Sequence, residues 1–249
     1  MDRGQLIVDS LKPSPLLSHP NLAPLPETRI PHLTIYTLGR FAVYRGAELI
    51  EDSAWQRRKA KSLFKLLLLA PQRQLLKDRV TEWLWPDQDQ ERAANNLHRT
   101  LFILRRVLQP DLHNASDSPY ILFKDAKLTL NPAAIACVDV EEFDRLIQLG
   151  RQQNNPLPHY EAARSLYQGD LLPEDLYEDW ASGQRQARRA AYCTLMQQMA
   201  HLYAQGADFT EAINCLQGLL RVEPIHEEAY RELMRLYVQV GQRHQALQL

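Results

Sequence analysis

The chain has 249 residues, of which 45% are apolar, and its formal net charge is -1 at pH 7. This length suits one large or two ordinary domains, while three widely spaced cysteines, Cys137, Cys193 and Cys215, argue against a disulfide framework or a paired-thiol metal site. No apolar run reaches the about 18 residues of a membrane span, and the N-terminus lacks the apolar core of a secretory signal, so we expect a cytoplasmic protein without a membrane partner.

Charge and composition divide the chain into three parts. Residues 1–30 contain five prolines and no sustained periodicity, which predicts a disordered tail. Residues 31–136 carry 16 Lys and Arg against 11 Asp and Glu, whereas residues 137–249 carry 10 against 16. A basic segment followed by an acidic one indicates two domains with different partners.

The basic segment begins with alternating apolar and polar residues. Two short strands are predicted over residues 33–38 and 41–44 with a tight turn at Gly39, and a third over 48–50. A small antiparallel sheet is therefore expected to open the domain.

A helix is predicted next, over residues 55–70, and Pro71 ends it. Cations near its first turn are repelled by the positive end of the helix dipole. Contact with the phosphate backbone of DNA would neutralise their charge. The alternative is a cluster that only improves solubility. The core positions are Ala60, Leu63, Phe64, Leu67 and Leu68, and the candidate phosphate-binding cations are Arg57, Arg58 and Lys61.

Two more helices complete a predicted helix-turn-helix. The first spans about residues 78–85, with Val80, Trp83 and Leu84 facing inward, and a polar loop over residues 87–91 follows it. The second spans residues 93–108 and carries an aliphatic stripe at helical spacing. That stripe consists of Leu97, Leu101, Leu104 and Leu108.

The opposite face of this third helix is rich in Asn, His and Arg and has no acidic residue. Arg can bind guanine O6 and N7, Asn can bind adenine N6 and N7, and apolar groups can contact a thymine methyl. The alternative is an ordinary solvated helix face. The candidate base-reading residues are Asn95, Asn96, His98, Arg99, Phe102, Ile103 and Arg106, and Arg92 and Arg105 are candidate phosphate contacts.

A hairpin is predicted after the third helix, with strands at residues 120–123 and 128–130. Its tip carries Lys124 and Lys127, both candidate phosphate contacts. A hairpin placed just after a recognition helix forms the wing of a winged helix. Three separate basic features therefore favour binding to double-stranded DNA.

The acidic segment contains an internal helical repeat. Leu202-Tyr203 recurs as Leu236-Tyr237, and Ala212 recurs as Ala246, both at an offset of 34 residues. This is the period of a tetratricopeptide (TPR) helix pair, which stacks into arrays that bind proteins. Tyr, Leu and Trp residues at such positions usually pack in the core, so Tyr203, Tyr237 and Trp180 are assigned no binding role.

Several motifs resemble the SARP-type family of bacterial transcriptional regulators, over about residues 33–249. In the first half they are Leu84-Trp85-Pro86-Asp87 and the run Leu97, Leu101, Leu104-Arg105-Arg106 and Leu108. In the second half they are Val138-Asp139-Val140 with Phe143, Tyr167-Gln168-Gly169-Asp170-Leu171-Leu172-Pro173, Asp179-Trp180-Ala181 with Arg185, and Glu223-Pro224 with Glu227, Glu228 and Tyr230. Ser118-Pro119-Tyr120 departs from the Gly-Gly-Tyr turn of many relatives.

The resemblance implies a nucleoid-associated activator that binds promoter repeats and contacts RNA polymerase. The implied polymerase-contact loop contains Trp85, Asp87, Asp89 and Glu91. The helical half would mediate self-association or bind a protein partner, and it is expected to continue beyond Leu249.

Together these observations predict a mainly α-helical chain. A winged helix-turn-helix with small antiparallel β elements is expected over residues 31–136, followed over residues 137–249 by an all-α, TPR-like bacterial transcriptional activator domain. No phosphate-binding glycine loop, nucleophile elbow or metal-ligand spacing occurs in the sequence, so we expect no enzyme activity, cofactor or metal. The alternative function is a helical interaction scaffold whose winged helix binds protein.

Overall fold

A computed structural model of the protein describes residues 30–249. The predicted tail, residues 1–30, therefore lies outside the described residues apart from Ile30. Strands β1 (Leu33–Tyr36), β2 (Ala42–Arg45) and β3 (Glu48–Leu49) pair antiparallel, as predicted. The alternation of the sequence puts Leu33 and Ile35 on the buried face of β1.

A fourth strand of this sheet was not predicted. It comprises Ile135–Val138 and pairs parallel to β1, which gives the order β3, β2, β1 and then this strand. The sheet is mixed, since this pair of strands is parallel and the other pairs are antiparallel. The added strand comes from a segment about 100 residues further along the chain. We number this strand β7, after the strands of the wing.

Three helices pack beside the sheet. They are α1 (Arg58–Leu69), preceded by a short 3-10 helix at Asp52–Trp55, α2 (Lys77–Leu84) and α3 (Gln90–Leu108). All predicted core positions of α1 and α3 are buried, and so are Val80 and Leu84. The prediction that Trp83 faces inward is wrong: its ring is 37% exposed, and the guanidinium of Arg79 stacks 5.2 Å from its centroid.

The predicted hairpin is present as β5 (Ile121–Lys124) and β6 (Lys127–Leu130). A further short strand, β4 (Gln74–Leu76), pairs with β6 and makes the wing a three-stranded antiparallel sheet. Strand β4 was not predicted, since its three residues are too few to show a periodicity.

Among the described residues after β7, the second half consists of helices and the loops between them. Its helices are α4 (Asp139–Arg151), α5 (Leu157–Leu166), α6 (Asp179–Gln205), α7 (Phe209–Val222), α8 (Glu227–Gln239) and α9 (Arg243–Leu247). Each pair of consecutive helices is in contact. The repeat positions Ala212, Leu236 and Tyr237 are buried, and Leu202 and Tyr203 are half-buried, so the mainly helical, TPR-like prediction is confirmed.

The two halves are joined by backbone contacts as well as by β7. Leu38 forms a β-bridge with Leu171, and the amide of Gly39 donates to the Asp170 carbonyl at 3.0 Å. The close approach requires glycine, because a Cβ on Gly39 would lie 2.6 Å from the carbonyl carbon of Gln168. Residues His32–Leu249 form one compact unit, and the predicted boundary at residues 136 and 137 falls inside β7.

Asp139 holds the start of α4 against the first sheet. Its carboxylate accepts hydrogen bonds from the Thr37 amide and hydroxyl and from the amides of Leu38 and Val140, at 2.7 to 2.9 Å. Burial raises the pKa of Asp139 although these hydrogen bonds favour the ionised form. The Val138-Asp139-Val140 motif therefore has a structural role at the junction of the two halves.

Candidate nucleic-acid interface

Helix α3 is fixed at its start by a side-chain cap. The Asp89 carboxylate accepts a hydrogen bond from the Arg92 amide at 2.8 Å, which satisfies one of the free amides of the first turn. Arg105 and Arg106 lie in the last turn, where cations favour the helix dipole. The buried leucine stripe then orients the opposite face of the helix to solvent.

Four side chains form a continuous exposed stripe on that face, which we call the reading stripe. They are Asn95, Arg99, Phe102 and Arg106, at steps of four, three and four residues. Phe102 is 51% exposed, and the Arg106 guanidinium lies 5.5 Å from the centroid of its ring. Among the described residues, no carboxylate forms an ion pair with Arg99 or Arg106.

Three other residues predicted on α3 are partly withdrawn from solvent. The Asn96 amide donates to Gln88 Oε1 at 2.6 Å, and Ile103 is half-buried. The Arg105 Nε donates to the Ile121 carbonyl at 3.1 Å, and burial lowers the pKa of its guanidinium. Arg105 therefore ties α3 to strand β5 of the wing.

His98 provides a second connection between α3 and the wing. It is exposed, and its ring meets the ring of Phe123 on β5 edge to face, with centroids 5.9 Å apart. The reading stripe and the wing are thus held in one orientation. His98 remains exposed in this contact and can still meet a ligand.

The tip of the wing exposes both predicted lysines. Lys124 and Lys127 are paired across the hairpin, and the two residues between them, Asp125 and Ala126, have φ of 52° and 57°, as in a type I′ turn. The Lys77 amide donates to the Ala126 carbonyl at 2.8 Å. Ser118-Pro119-Tyr120 precedes β5 and is not part of this tip.

The cations at the start of α1 lie near acidic residues, one from the preceding 3-10 helix and two from the second half. Lys61 forms ion pairs with Asp52 at 2.6 Å and Glu174 at 2.8 Å, and Arg58 lies 3.8 Å from Glu178. Arg57 is exposed, and Arg92 is exposed although it pairs with Asp89. Of the α1 candidates, Arg57 and Arg58 are open to a phosphate, whereas Lys61 is engaged.

The electrostatics of this cluster follow from the ion pairs. Burial alone would lower the pKa of Lys61, but its hydrogen bonds to Asp52 and Glu174 raise that pKa above its usual value. Burial alone would raise the pKa of Glu174, but hydrogen bonds from Lys61 and Lys65 hold it below its usual value. These groups therefore remain charged at neutral pH and favour each other.

The predicted polymerase-contact loop is short and mostly exposed. Asp87 and Glu91 are exposed, Trp85 is half-buried, and Asp89 is the cap of α3. Asp89 therefore has a structural function that Asp87 does not have.

Sequence reasoning missed the residues that lock the two halves together. Lys65 is 1% exposed, and its ammonium contacts Asp175 at 2.5 Å and Glu174 at 3.0 Å. The buried Arg185 donates to the carbonyls of Leu171, Asp175 and Leu176, which holds the acidic segment in place. The sequence does contain one signal for this buried ion pair, because Lys65 falls among the apolar core positions of α1.

None of the helices in the described part of the chain combines the length and apolarity needed to cross a membrane. Within residues 30–249, no three His, Cys, Asp or Glu side chains are grouped in a way that could hold a metal ion.

Comparisons with known proteins agree with this architecture. Residues 138–249 match the family described as the bacterial transcriptional activator domain. The chain is similar to the solved structure of Mycobacterium tuberculosis EmbR in complex with a low-affinity phosphopeptide, with a TM-score of 0.70 and 16% sequence identity. The match covers 87% of this chain but 57% of the EmbR chain, so this chain spans little more than half of that relative. The comparison with curated proteins gives no match.

Proposed function

We propose that this chain, whose residues 138–249 match the bacterial transcriptional activator domain family, is a sequence-specific DNA-binding transcriptional activator. The family match supports the activator half of the resemblance to SARP-type regulators, and the similarity in fold to EmbR extends over both halves. That family regulates transcription, so the proposed activity is binding and not catalysis. Its place of action would be the bacterial nucleoid.

The reading stripe of α3 is the observation that carries this proposal. A helix is about 10–12 Å wide with its side chains, and the major groove of B-DNA is about 12 Å wide and admits it. Arg99 and Arg106 are exposed and free of ion pairs among the described residues, so both can bind a guanine edge. Asn95 can bind adenine, and Phe102 can contact a thymine methyl.

The wing and the helix termini would supply phosphate contacts. Lys124 and Lys127 project from the hairpin tip that α3 orients through His98 and Arg105. Two lysines side by side repel each other, and a phosphate between them would remove that repulsion. Arg57, Arg58 and Arg92 are further candidates because their side chains are exposed.

A binding experiment tests the reading stripe. Preferred sites would be selected from a random duplex library with the purified chain, and affinity would be measured by fluorescence anisotropy at several salt concentrations. We expect Arg99→Ala and Arg106→Ala to weaken the preferred site by about 1–3 kcal/mol, and Lys124→Ala to weaken all sequences alike and reduce the salt slope by about 1. Arg235→Ala, at an exposed position on α8, is the matched control.

Unchanged affinity in both reading-stripe variants would overturn the assignment of this face. A change of base preference in Lys124→Ala would show that the roles of helix and wing are reversed.

The alternative is that the winged helix binds protein. It is favoured by two apolar side chains on the outer face of the wing sheet, Leu76 and Leu122, which are 59% and 46% exposed. A protein interface of this kind would not show the linear fall of affinity with salt that counterion release from DNA produces. The salt series described above therefore separates the two functions.

The loop from Trp85 to Glu91 is the proposed contact with RNA polymerase. We expect Asp87→Ala to leave DNA affinity unchanged and to lower transcription in a reconstituted assay, because Asp87 is exposed and outside α3. Asp89→Ala should instead reduce both, since loss of a helix cap costs about 1 kcal/mol. Asp111→Ala, another exposed acid of the same half, is the control, and equal loss of both activities in Asp87→Ala would contradict the proposal.

The helical half is proposed to bind a protein partner or a second copy of the chain. It exposes apolar side chains on and around its helices, among them Tyr177, Ile225 and Leu247. Sedimentation velocity with and without the selected DNA would distinguish a monomer from a paired assembly.

A further inference from the structure

A cavity of about 560 Å³ lies where the two halves of the chain meet. The first half contributes the end of α1 and the turn after it, and the second half contributes the start of α4 and one face of α6. This volume falls within the about 300–1,000 Å³ of small-molecule sites. The lining includes Leu69, Gln72, Arg73, Glu141, Gln184 and Arg188.

Two arginines line this cavity, one from each half of the chain, and each has an unused donor. Arg73 Nη2 donates to both carboxylate oxygens of Glu141, at 2.9 and 2.7 Å, and Arg188 Nη2 donates to Asp144 at 2.8 Å. Arg73 Nη1 and Arg188 Nε are buried and have no hydrogen-bond partner among the described residues.

Unsatisfied buried donors of this kind are rare because each costs the desolvation of a polar group. Here two of them belong to guanidinium groups from different halves of the chain, and both residues line one cavity. Guanidinium groups bind carboxylate and phosphate oxygens with short, charge-assisted hydrogen bonds. Each guanidinium group therefore has a donor left over for an anion in the cavity.

We propose that this cavity is a binding site for a small anion that bears carboxylate or phosphate groups, held by Arg73 and Arg188. Glu141 and Asp144 each occupy one nitrogen of their arginine and leave the remaining donors for the anion. The Glu141 carboxylate also lines the cavity and opposes an anion there. None of the residues that line the cavity is a proposed DNA contact.

The surrounding backbone fixes the position of Arg73 and the packing of α1 against α6. Gln72 and Arg73 are consecutive residues with φ of 53° and 57°, a left-handed conformation that is costly without glycine. The side-chain amide of Gln184 donates to the Leu69 carbonyl at 2.9 Å and closes α1 against α6. A bound anion would therefore bridge the two halves and raise the thermal stability of the chain.

Calorimetric titration tests the site, with inorganic phosphate, succinate and citrate as probes at constant ionic strength. Succinamide, which is uncharged, is the control ligand. We expect saturable binding of at least one anion, a rise of the melting temperature with it, and about tenfold weaker binding in Arg73→Gln and in Arg188→Gln. Which probe binds separates a carboxylate from a phosphate ligand.

Further variants make the test specific. Glu141→Gln removes the opposing charge and should strengthen binding severalfold. Arg145→Gln, at an exposed position on α4 that pairs with Glu142, is the charge-matched control and should leave binding unchanged. If the Gln variants do not fold, Arg73→Lys and Arg188→Lys keep the charge but lose the planar fork, and they should also weaken binding.

The proposal is overturned if none of the three anions binds saturably. It is also overturned if Arg145→Gln weakens binding as much as Arg73→Gln and Arg188→Gln, because that result would show a diffuse charge effect.

Discussion

Lys65 lies among the apolar residues of α1, and its ammonium is paired with Asp175 and Glu174 of the second half. Burying a charge is costly unless it is paired, and breaking a buried pair leaves an uncompensated charge. The ion pair therefore favours one surface of the second half as the partner of α1, since any other arrangement would leave the ammonium buried without a counter-charge.

We expect Lys65→Met to destabilise the chain by about 3–5 kcal/mol, because Asp175 would then be buried without a partner. The double variant Lys65→Met with Asp175→Leu should recover most of that loss. Urea unfolding measures both, with the exposed Lys124→Met as the control. A double variant as unstable as the single one would show that packing, and not the stranded charge, explains the loss.

Helical periodicity predicted which side of α3 is buried, and all four leucines of the stripe are in the core. It could not predict which outward residues find partners from other elements. Asn96, Arg105 and Lys61 all lie where the period places them, but Gln88, Ile121 and Glu174 engage them. Such partners depend on the tertiary fold, which local spacing does not contain.

Helices and the hairpin were predictable because each has enough residues to show a period or a turn between two apolar runs. Strands β4 and β7 have three and four residues and pair with segments distant in the chain, so no local pattern marks them. The wing and the first sheet were consequently each predicted one strand short.

The turn of the wing carries a specific backbone cost. Ala126 has φ of 57°, a left-handed backbone conformation that is strained for residues with a Cβ but not for glycine. We expect Ala126→Gly to stabilise the chain by about 0.5–1 kcal/mol in chemical denaturation. Ala187→Gly, at an exposed position inside α6, should instead destabilise by about 1 kcal/mol, and the same sign for both would contradict this account.

The contact of Gly39 with the segment at Gln168 and Gly169 is one of the connections between the two halves of the molecule. Gly39 has φ of 79°, and an added Cβ would meet Gln168 backbone atoms at 2.6 and 2.7 Å. We expect Gly39→Ala to destabilise by roughly 2–4 kcal/mol, because strain and overlap act together. Gly183→Ala is the control, since its Cβ would meet nothing within 4 Å in α6, and it should be neutral or stabilising by about 1 kcal/mol.

The Gly39→Ala substitution also tests whether the two halves unfold cooperatively. In a Trp180→Phe background the remaining tryptophans, Trp55, Trp83 and Trp85, report on the first half, while far-UV circular dichroism reports mainly on the helices of the second. The two probes should give one coincident transition with Gly39 present. In Gly39→Ala the transitions should separate, and continued coincidence would show that β7 and the Lys65 ion pair suffice to couple the halves.

Strand β7 belongs to the first sheet and leads directly into α4, with no flexible linker between them. For a chain that binds DNA as proposed, the orientation of the helical arm is therefore set by the groove that α3 enters. Moving the binding site by half a turn of the duplex would rotate the arm to the far side of the promoter. Helical phasing, and not only distance, would then determine whether the arm can reach its partner.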